Sequence, residues 1–354
     1  MSLGAVPRYP MARPAAREGR AMVFLFILAM LLLILAGSEI FINALEQLGE
    51  RLRISEGVTG SLFAAVGTAM PETIVPLIAI FAGTGKPAVN EEIGVGAILG
   101  APLMLSTLTM GLLAVVSVGR RGAAGGFQAE PGGLRRDLNF FLLAFVLATV
   151  ALFVPHEASA VRVGFSIGLV LIYFIYVMLT LRASEQLVAA GHGTAADRPL
   201  FLARLGLPAV LPVIVAQIAG GLLLLVGGAK GFVQGVEAVA DMLGISALLL
   251  SLLIVPLATE LPEKVNSILW VRRGKDTLAF GNLTGAMVFQ GTLLPALGVV
   301  LTPWSPRPDV YYGVAMTLAG ALWLRWRIGR DQLRVWHLAV NGLLYLVFLG
   351  LALG

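Results

Sequence analysis

Ten blocks of apolar residues, each about long enough to cross a bilayer as a helix, follow one another along the chain with short polar connections between them. They run about 21–43, 55–82, 91–118, 138–155, 161–181, 205–229, 246–270, 277–302, 310–327 and 335–353. Inside hydrocarbon every backbone N–H and C=O must be satisfied within the protein, so such blocks have to be helical. Composition agrees. Of the 354 residues 58% are hydrophobic and 13% charged, where a soluble domain carries roughly 25% charged residues. The expected fold class is all-α, a polytopic membrane protein with about ten transmembrane helices.

Several function classes drop out at once. The net charge of +5 comes from basic residues standing singly or in short clusters between apolar blocks, which is the pattern of loops facing a cytoplasm. There is no basic stripe of the kind nucleic acid requires. Absence of cysteine excludes disulfides, thiolate metal sites and a cysteine nucleophile. His156, His192 and His337 fall at helix ends or in loops without ligand spacing. No GxxxxGK[ST] loop occurs, which argues against an ATP-driven pump. An intramembrane enzyme would need a nucleophile–base pair or a metal cluster within the spans, and neither is present.

The chain also repeats itself. At an offset of 191 residues Gly37 meets Gly228, Phe41 meets Phe232, Glu46 meets Glu237, Glu50 meets Asp241, and Ile54-Ser55 meets Ile245-Ser246. The same register carries Thr68 onto Thr259, Pro71 onto Pro262 and Glu72 onto Glu263. After a loop six residues shorter in the second half, Gly96, Gly100 and Ala101 match Gly281, Gly285 and Ala286. Chance similarity of apolar helices would not hold one register across a loop and land on two Pro-Glu pairs.

Each copy holds five spans, an odd number, so the second must enter the membrane in the opposite orientation, as in transporters whose site lies between inverted halves. The expected organisation is a disordered tail at 1–20, a first five-helix repeat at 21–190, a linker at 191–204 and a second, inverted repeat at 205–354. Sixteen of the 25 Lys and Arg lie in the odd-numbered loops or the span ends beside them, while each even-numbered loop holds one, Lys86, Arg162, Lys230 or Arg307. The odd-numbered loops are thus expected in the cytoplasm, with both termini outside. The four arginines before Met22 pull the other way.

The chemistry concentrates at the two Pro-Glu pairs, GTAMPE at 67–72 and ATELPE at 258–263. A carboxylate deep in a span is costly and usually faces a polar cavity with a partner. Glu72 and Glu263 are related by the pseudo-symmetry and are expected to face each other, and two such carboxylates cannot both stay ionised without a positive species between them. Proline removes an N–H and frees carbonyls in the turn before it. Carboxylates, carbonyls and hydroxyls together suit a hard cation such as Ca²⁺ or Na⁺.

GTAMPE followed by GVGAILGAPLML, and ATELPE followed by GKDTLAFGNLTGAMVFQ, resemble the two alpha-repeats of the sodium/calcium exchanger family, in the cation/calcium antiporter superfamily. The resemblance covers nearly all of the chain after residue 21 and implies ten helices in two inverted halves. It implies Glu72 and Glu263 as central cation ligands, with Thr68 and Thr259 contributing from the turn before each proline. The family's serine after each threonine is Ala69 and Glu260 here, the serine of its GSN-type motif is Ala101 and Ala286, and the amide or acid four residues on is Leu105 and Gln290. The polar residue of its GN pair is Ala97 in the first half and Asn282 in the second. These changes remove flanking ligands that serve Na⁺ in the family and add one carboxylate, Glu260, close to Glu263 on a helix.

The cation ligands expected are therefore Glu72, Glu263, Thr68, Thr259, Glu260 and Gln290, with Glu260 an added titratable acid suited to proton coupling. Lys264 beside it could neutralise that acid. Glu39 and Lys230, a symmetry pair near the ends of spans one and six, are read as structural. The expected function is secondary antiport of Ca²⁺ or a similar divalent cation against Na⁺ or H⁺ by alternating access in the plasma or inner membrane. Inorganic cations and lipid are the expected partners, and no cofactor is expected. The alternatives are a transport-inactive or regulatory relative and an antiporter of monovalent cations.

Overall fold

The apolar blocks fold as helices. The computed structural model describes residues 13–51, 69–83, 86–188, 199–330 and 332–353. The helices are α1 (Arg13–Arg51), α2 (Met70–Ala82), α3 (Pro87–Met104), α4 (Met110–Arg121), α5 (Pro131–Ala151), α6 (Ser159–Val188), α7 (Leu211–Leu243), α8 (Ala247–Thr259), α9 (Leu261–Arg272), α10 (Asp276–Leu301), α11 (Pro308–Arg330) and α12 (Val335–Leu353). A π-helical turn, Leu105–Thr109, joins α3 to α4 in one continuous span. Among the described residues six stretches are long and apolar enough to cross a bilayer unaided, while α2 and α8 are shorter apolar helices. The whole is an all-α polytopic fold of about ten transmembrane helices in two inverted five-helix repeats.

Several boundaries differ from the sequence reading, two of them informatively. The tail expected to be disordered through residue 20 is helical from Arg13, because α1 extends backward with Pro14 in its first turn, where a missing N–H costs nothing. The sixth span, expected to end near 229, continues as α7 to Leu243. Its last turns carry Glu237 and Asp241, so the helix outruns the apolar stripe into a polar environment. The expected linker lies partly outside the described residues.

The first helices of the two halves, α1 and α7, show the repeat directly in their packing. A Cβ on Gly37 would stand 2.9 Å from the Leu225 nitrogen and 3.0 Å from the Gly221 carbonyl oxygen. On its counterpart Gly228 it would stand 3.1 Å from the Ile34 nitrogen and 3.2 Å from the Met30 oxygen. Leu225 and Gly221 are the repeat counterparts of Ile34 and Met30, so this is one contact made twice about a pseudo-twofold axis. Between helices in lipid there is no hydrophobic gain, and close backbone approach through small residues supplies the van der Waals attraction instead.

The halves interlock beyond that pair. α10 packs against α5 and α6, and the α3–α4 span packs against α11 and α12, so the third span of each half lies on the last two of the other. α3 also crosses α8 closely, since a Cβ on Gly100 would meet the Leu252 oxygen at 2.4 Å. Asn341 of α12 donates from Nδ2 to the carbonyls of Ser106 (2.6 Å) and Gly320 (3.0 Å), which ties the π turn to α11. Arg162 is buried at the end of α10 and donates to the carbonyls of Thr302 (2.6 Å) and Pro303 (2.9 Å). It satisfies acceptors that a helix C-terminus leaves open. On the outer surface, Phe24, Leu28, Leu32, Ile167, Leu171 and Phe174 are exposed, as a lipid-facing belt requires.

Candidate cation site

Each Pro-Glu pair opens a helix. The chain turns at Ala69 (φ −85°, ψ 2°) before α2 and at Glu260 (φ −88°, ψ 9°) before α9, the same repeat position in each half. Proline sits well in a first turn, where the backbone N–H has no partner in any case. The restart leaves N–H groups and the positive end of the helix dipole beside the next residue, which is Glu72 in α2 and Glu263 in α9. The local sequence thus places one carboxylate at each of two helix N-termini inside the spans.

Packing brings these ends together. Glu72 and Glu263 are each 4% exposed and Glu260 is fully buried. The charge acting most strongly on Glu72 is that of Glu263, from the other half, followed by Glu260, with Lys264 opposing them. Among the described residues neither carboxylate oxygen of Glu72, nor Oε2 of Glu263, has a hydrogen-bond partner. Leaving a buried acceptor unmade costs on the order of 1–3 kcal/mol, more if it is charged. The two glutamates form a buried carboxyl core that the described protein groups leave open.

The flanks of the two glutamates differ. Lys264, 3% exposed, holds its Nζ 2.9 Å from Glu260 Oε2 and donates to the Pro256 carbonyl at 2.9 Å, with Met104 Sδ at 3.9 Å. The contact with Glu260 is close by distance but lacks the alignment of a hydrogen bond. The Gln290 amide interacts with the Glu260 carboxylate from α10. Thr259 is buried, and its hydroxyl donates to the Val255 carbonyl at 3.2 Å. Asn282 donates to Ser267 Oγ at 3.2 Å and approaches the Glu263 carbonyl at 3.5 Å, which pins the start of α9 to α10.

Of the residues expected from sequence, Glu72, Glu263, Glu260 and Gln290 therefore share one cluster, and Thr259 lies at its edge. Thr68 is outside the described residues. Glu39 and Lys230 are exposed on α1 and α7. The sequence reading made Glu260 an added titratable acid that Lys264 could neutralise. The structure pairs the two, and their i,i+4 spacing was the signal for it. The Pro256 carbonyl and Met104 carried no sequence signal. Among the described residues no three acidic or imidazole side chains converge tightly enough to hold an ion alone. A hard cation with its six or more oxygen ligands would have to draw on carbonyls, amides or water as well.

The sequence matches the profile described as sodium/calcium exchanger protein over residues 22–182 and 213–354. The chain belongs to the sodium/calcium exchanger family. Members of this family are secondary transporters and not enzymes. Among relatives of this exchanger-family chain, the inner membrane protein YrbG of Escherichia coli (strain K12) is 26% identical over 281 residues, covering 79% of this chain and 80% of that protein. The putative antiporter CaxA of Alkalimonas amylolytica is 25% identical over 343 residues, covering 92% and 98%. The same fold is seen in the crystal structure of the H+/Ca2+ exchanger CAX, at a TM-score of 0.67 and 18% identity over 92% of this chain and 81% of that one. The sodium-calcium exchanger NCX_Mj shares it at a TM-score of 0.56 and 18% identity, over 93% and 98%. At these identities the structural likeness speaks for the fold.

Proposed function

We propose that this exchanger-family protein is a secondary antiporter that moves Ca²⁺ or a similar divalent cation against Na⁺ or H⁺ by alternating access. The observation that carries the reading is the pair Glu72 and Glu263, buried at helix N-termini contributed by opposite halves, with carboxylate oxygens that no donor among the described residues satisfies. A divalent ion bound there would balance the pair, and its departure would require another positive species to take its place. That requirement is exchange in physical terms. The H+/Ca2+ exchanger CAX, the sodium-calcium exchanger NCX_Mj and the putative antiporter CaxA support the same class.

Thr259 and Gln290 flank the pair, with Thr68 expected opposite. The halves are 21–190 and 205–354, joined by 191–204, and the odd-numbered loops face the cytoplasm of a plasma or inner membrane. Because Glu260 has a lysine partner, proton exchange falls to Glu72 and Glu263 as a coupled pair. Purified protein in liposomes tests this with labelled Ca²⁺, first under an imposed Na⁺ gradient and then under an imposed pH gradient. Uptake driven by either gradient supports antiport and names the coupling ion. Exchange of monovalent cations only, or flux no greater than in empty liposomes, would replace the proposal with one of its alternatives.

A further inference from the structure

The two helix starts have matching backbone turns and opposite furnishings. In the first half the residue at the turn and the residue four positions on are Ala69 and Thr73, and Thr73 Oγ1 simply donates back to the Ala69 carbonyl at 2.7 Å. At the same positions of the second half stand Glu260 and Lys264, both buried and 2.9 Å apart. The Lys264 ammonium is surrounded by a carboxylate oxygen, the Pro256 carbonyl and the Met104 sulfur. Oxygen donors on a buried positive centre beside a broken helix are the surroundings of a bound monovalent cation. Here the cation is covalently attached.

We infer that Lys264 is a built-in cation that fills a monovalent-ion position beside Glu260, so that the site takes a single divalent cargo ion and no accompanying Na⁺. Formal charge makes the case. Glu72, Glu260 and Glu263 contribute three negative charges and Lys264 one positive, leaving −2 for one divalent ion. Without the ammonium the cluster would stand at −3 and would recruit a further monovalent cation or a proton, since buried like charges do not remain uncompensated. Gln290, the remaining polar group on Glu260, is neutral and leaves this count unchanged. The inference rests on the antiporter reading for the identity of the cargo, but the role of the lysine is tested separately.

The experiment is thermal unfolding of the purified full chain in detergent, with CaCl₂, NaCl or choline chloride at matched ionic strength. Wild type is expected to be stabilised by Ca²⁺ and, once Ca²⁺ is saturating, indifferent to exchanging choline for Na⁺. Lys264→Met is expected to gain a saturable Na⁺ stabilisation in the presence of saturating Ca²⁺. A Na⁺ response of wild type at saturating Ca²⁺, or none in a folded Lys264→Met, overturns the inference. Because Lys264→Met strands a buried carboxylate and can fail to fold, a second pair of variants decides independently. Glu260→Ala, with a formal −1, is expected to weaken Ca²⁺ binding on the order of tenfold or more. Adding Lys264→Thr restores −2 and should recover most of that loss. A double variant that binds Ca²⁺ no better than Glu260→Ala would show that the pair is only structural. Wild type unmoved by Ca²⁺ would instead refute the cargo assignment, with the Na⁺ response of Lys264→Met still deciding the lysine's role.

Discussion

The turn at Ala69–Thr73 and the turn at Glu260–Lys264 hold the same repeat position and share a backbone, with ψ near 0° and a Pro-Glu in the first helical turn of each. Around that constant frame the chemistry has separated. The first half closes its turn with a threonine hydroxyl on its own backbone, while the second buries an ion pair there. The spans that follow differ too. Leu105 opens a π turn in the first half, while its counterpart Gln290 lies in a regular α-helix and reaches Glu260. A π turn re-registers every side chain after it and is often found where function needs it. The difference teaches that backbone geometry and the central carboxylates belong to the shared task, and that the flanking positions set which ions accompany it.

The largest expected effect comes from the part the halves share. Glu72→Gln and Glu263→Gln should each reduce Ca²⁺ uptake to that of empty liposomes while the protein still inserts and elutes as a folded species. Appreciable uptake in one variant alone would show that the halves are unequal at the centre as well as at the flanks. Next in size is the crossing of α1 and α7. Gly37→Leu and Gly228→Leu should destabilise the protein by similar amounts, about 1–3 kcal/mol each for an overpacked contact, read as matched falls in Tm. Unequal losses would break the pseudo-twofold equivalence seen in the paired distances.

A subtler effect concerns protons. Cation binding needs deprotonated carboxylates, so uptake should rise with pH as Glu72 and Glu263 lose protons together. The profile should keep its shape when Glu260→Ala and Lys264→Thr are combined, measured from about pH 6 to 9 around neutrality. A flattened profile in that double variant would return proton coupling to Glu260 and sharpen the contrast between the breaks. Smallest is a helix cap far from the site. Glu130 accepts from the N–H groups of Gly132 and Gly133 at 2.6 Å, opening α5. The Gly133 N–H foremost, and then that of Gly132, hold its carboxyl below the ordinary value of 4.5. A lowered carboxylate stabilises the fold above its unfolded pKa, and that share is lost as pH falls through the folded value. Glu130→Ala should therefore cost about 1 kcal/mol at neutral pH and nothing in strong acid, as followed by hydrogen exchange in α5.

What the sequence alone determined was whatever follows from local chemistry and chain length. Apolar blocks force helices because hydrocarbon offers the backbone no partner. An odd number of spans in each copy forces inversion. Proline followed by glutamate forces a helix restart with a carboxylate at its N-terminus, so Glu72 and Glu263 could be named without coordinates. The tertiary structure decided the rest, because it depends on which side chains meet across helices. It gave Lys264 its oxygen donors from Glu260 and Pro256, and so set a buried ammonium against the added acid. It set the π turn at Leu105 under the Asn341 amide, and it assigned Arg162 to the end of α10. Beyond the i,i+4 spacing of Glu260 and Lys264, none of these could be read from the sequence, since a buried charge takes its meaning from the partner that packing brings to it.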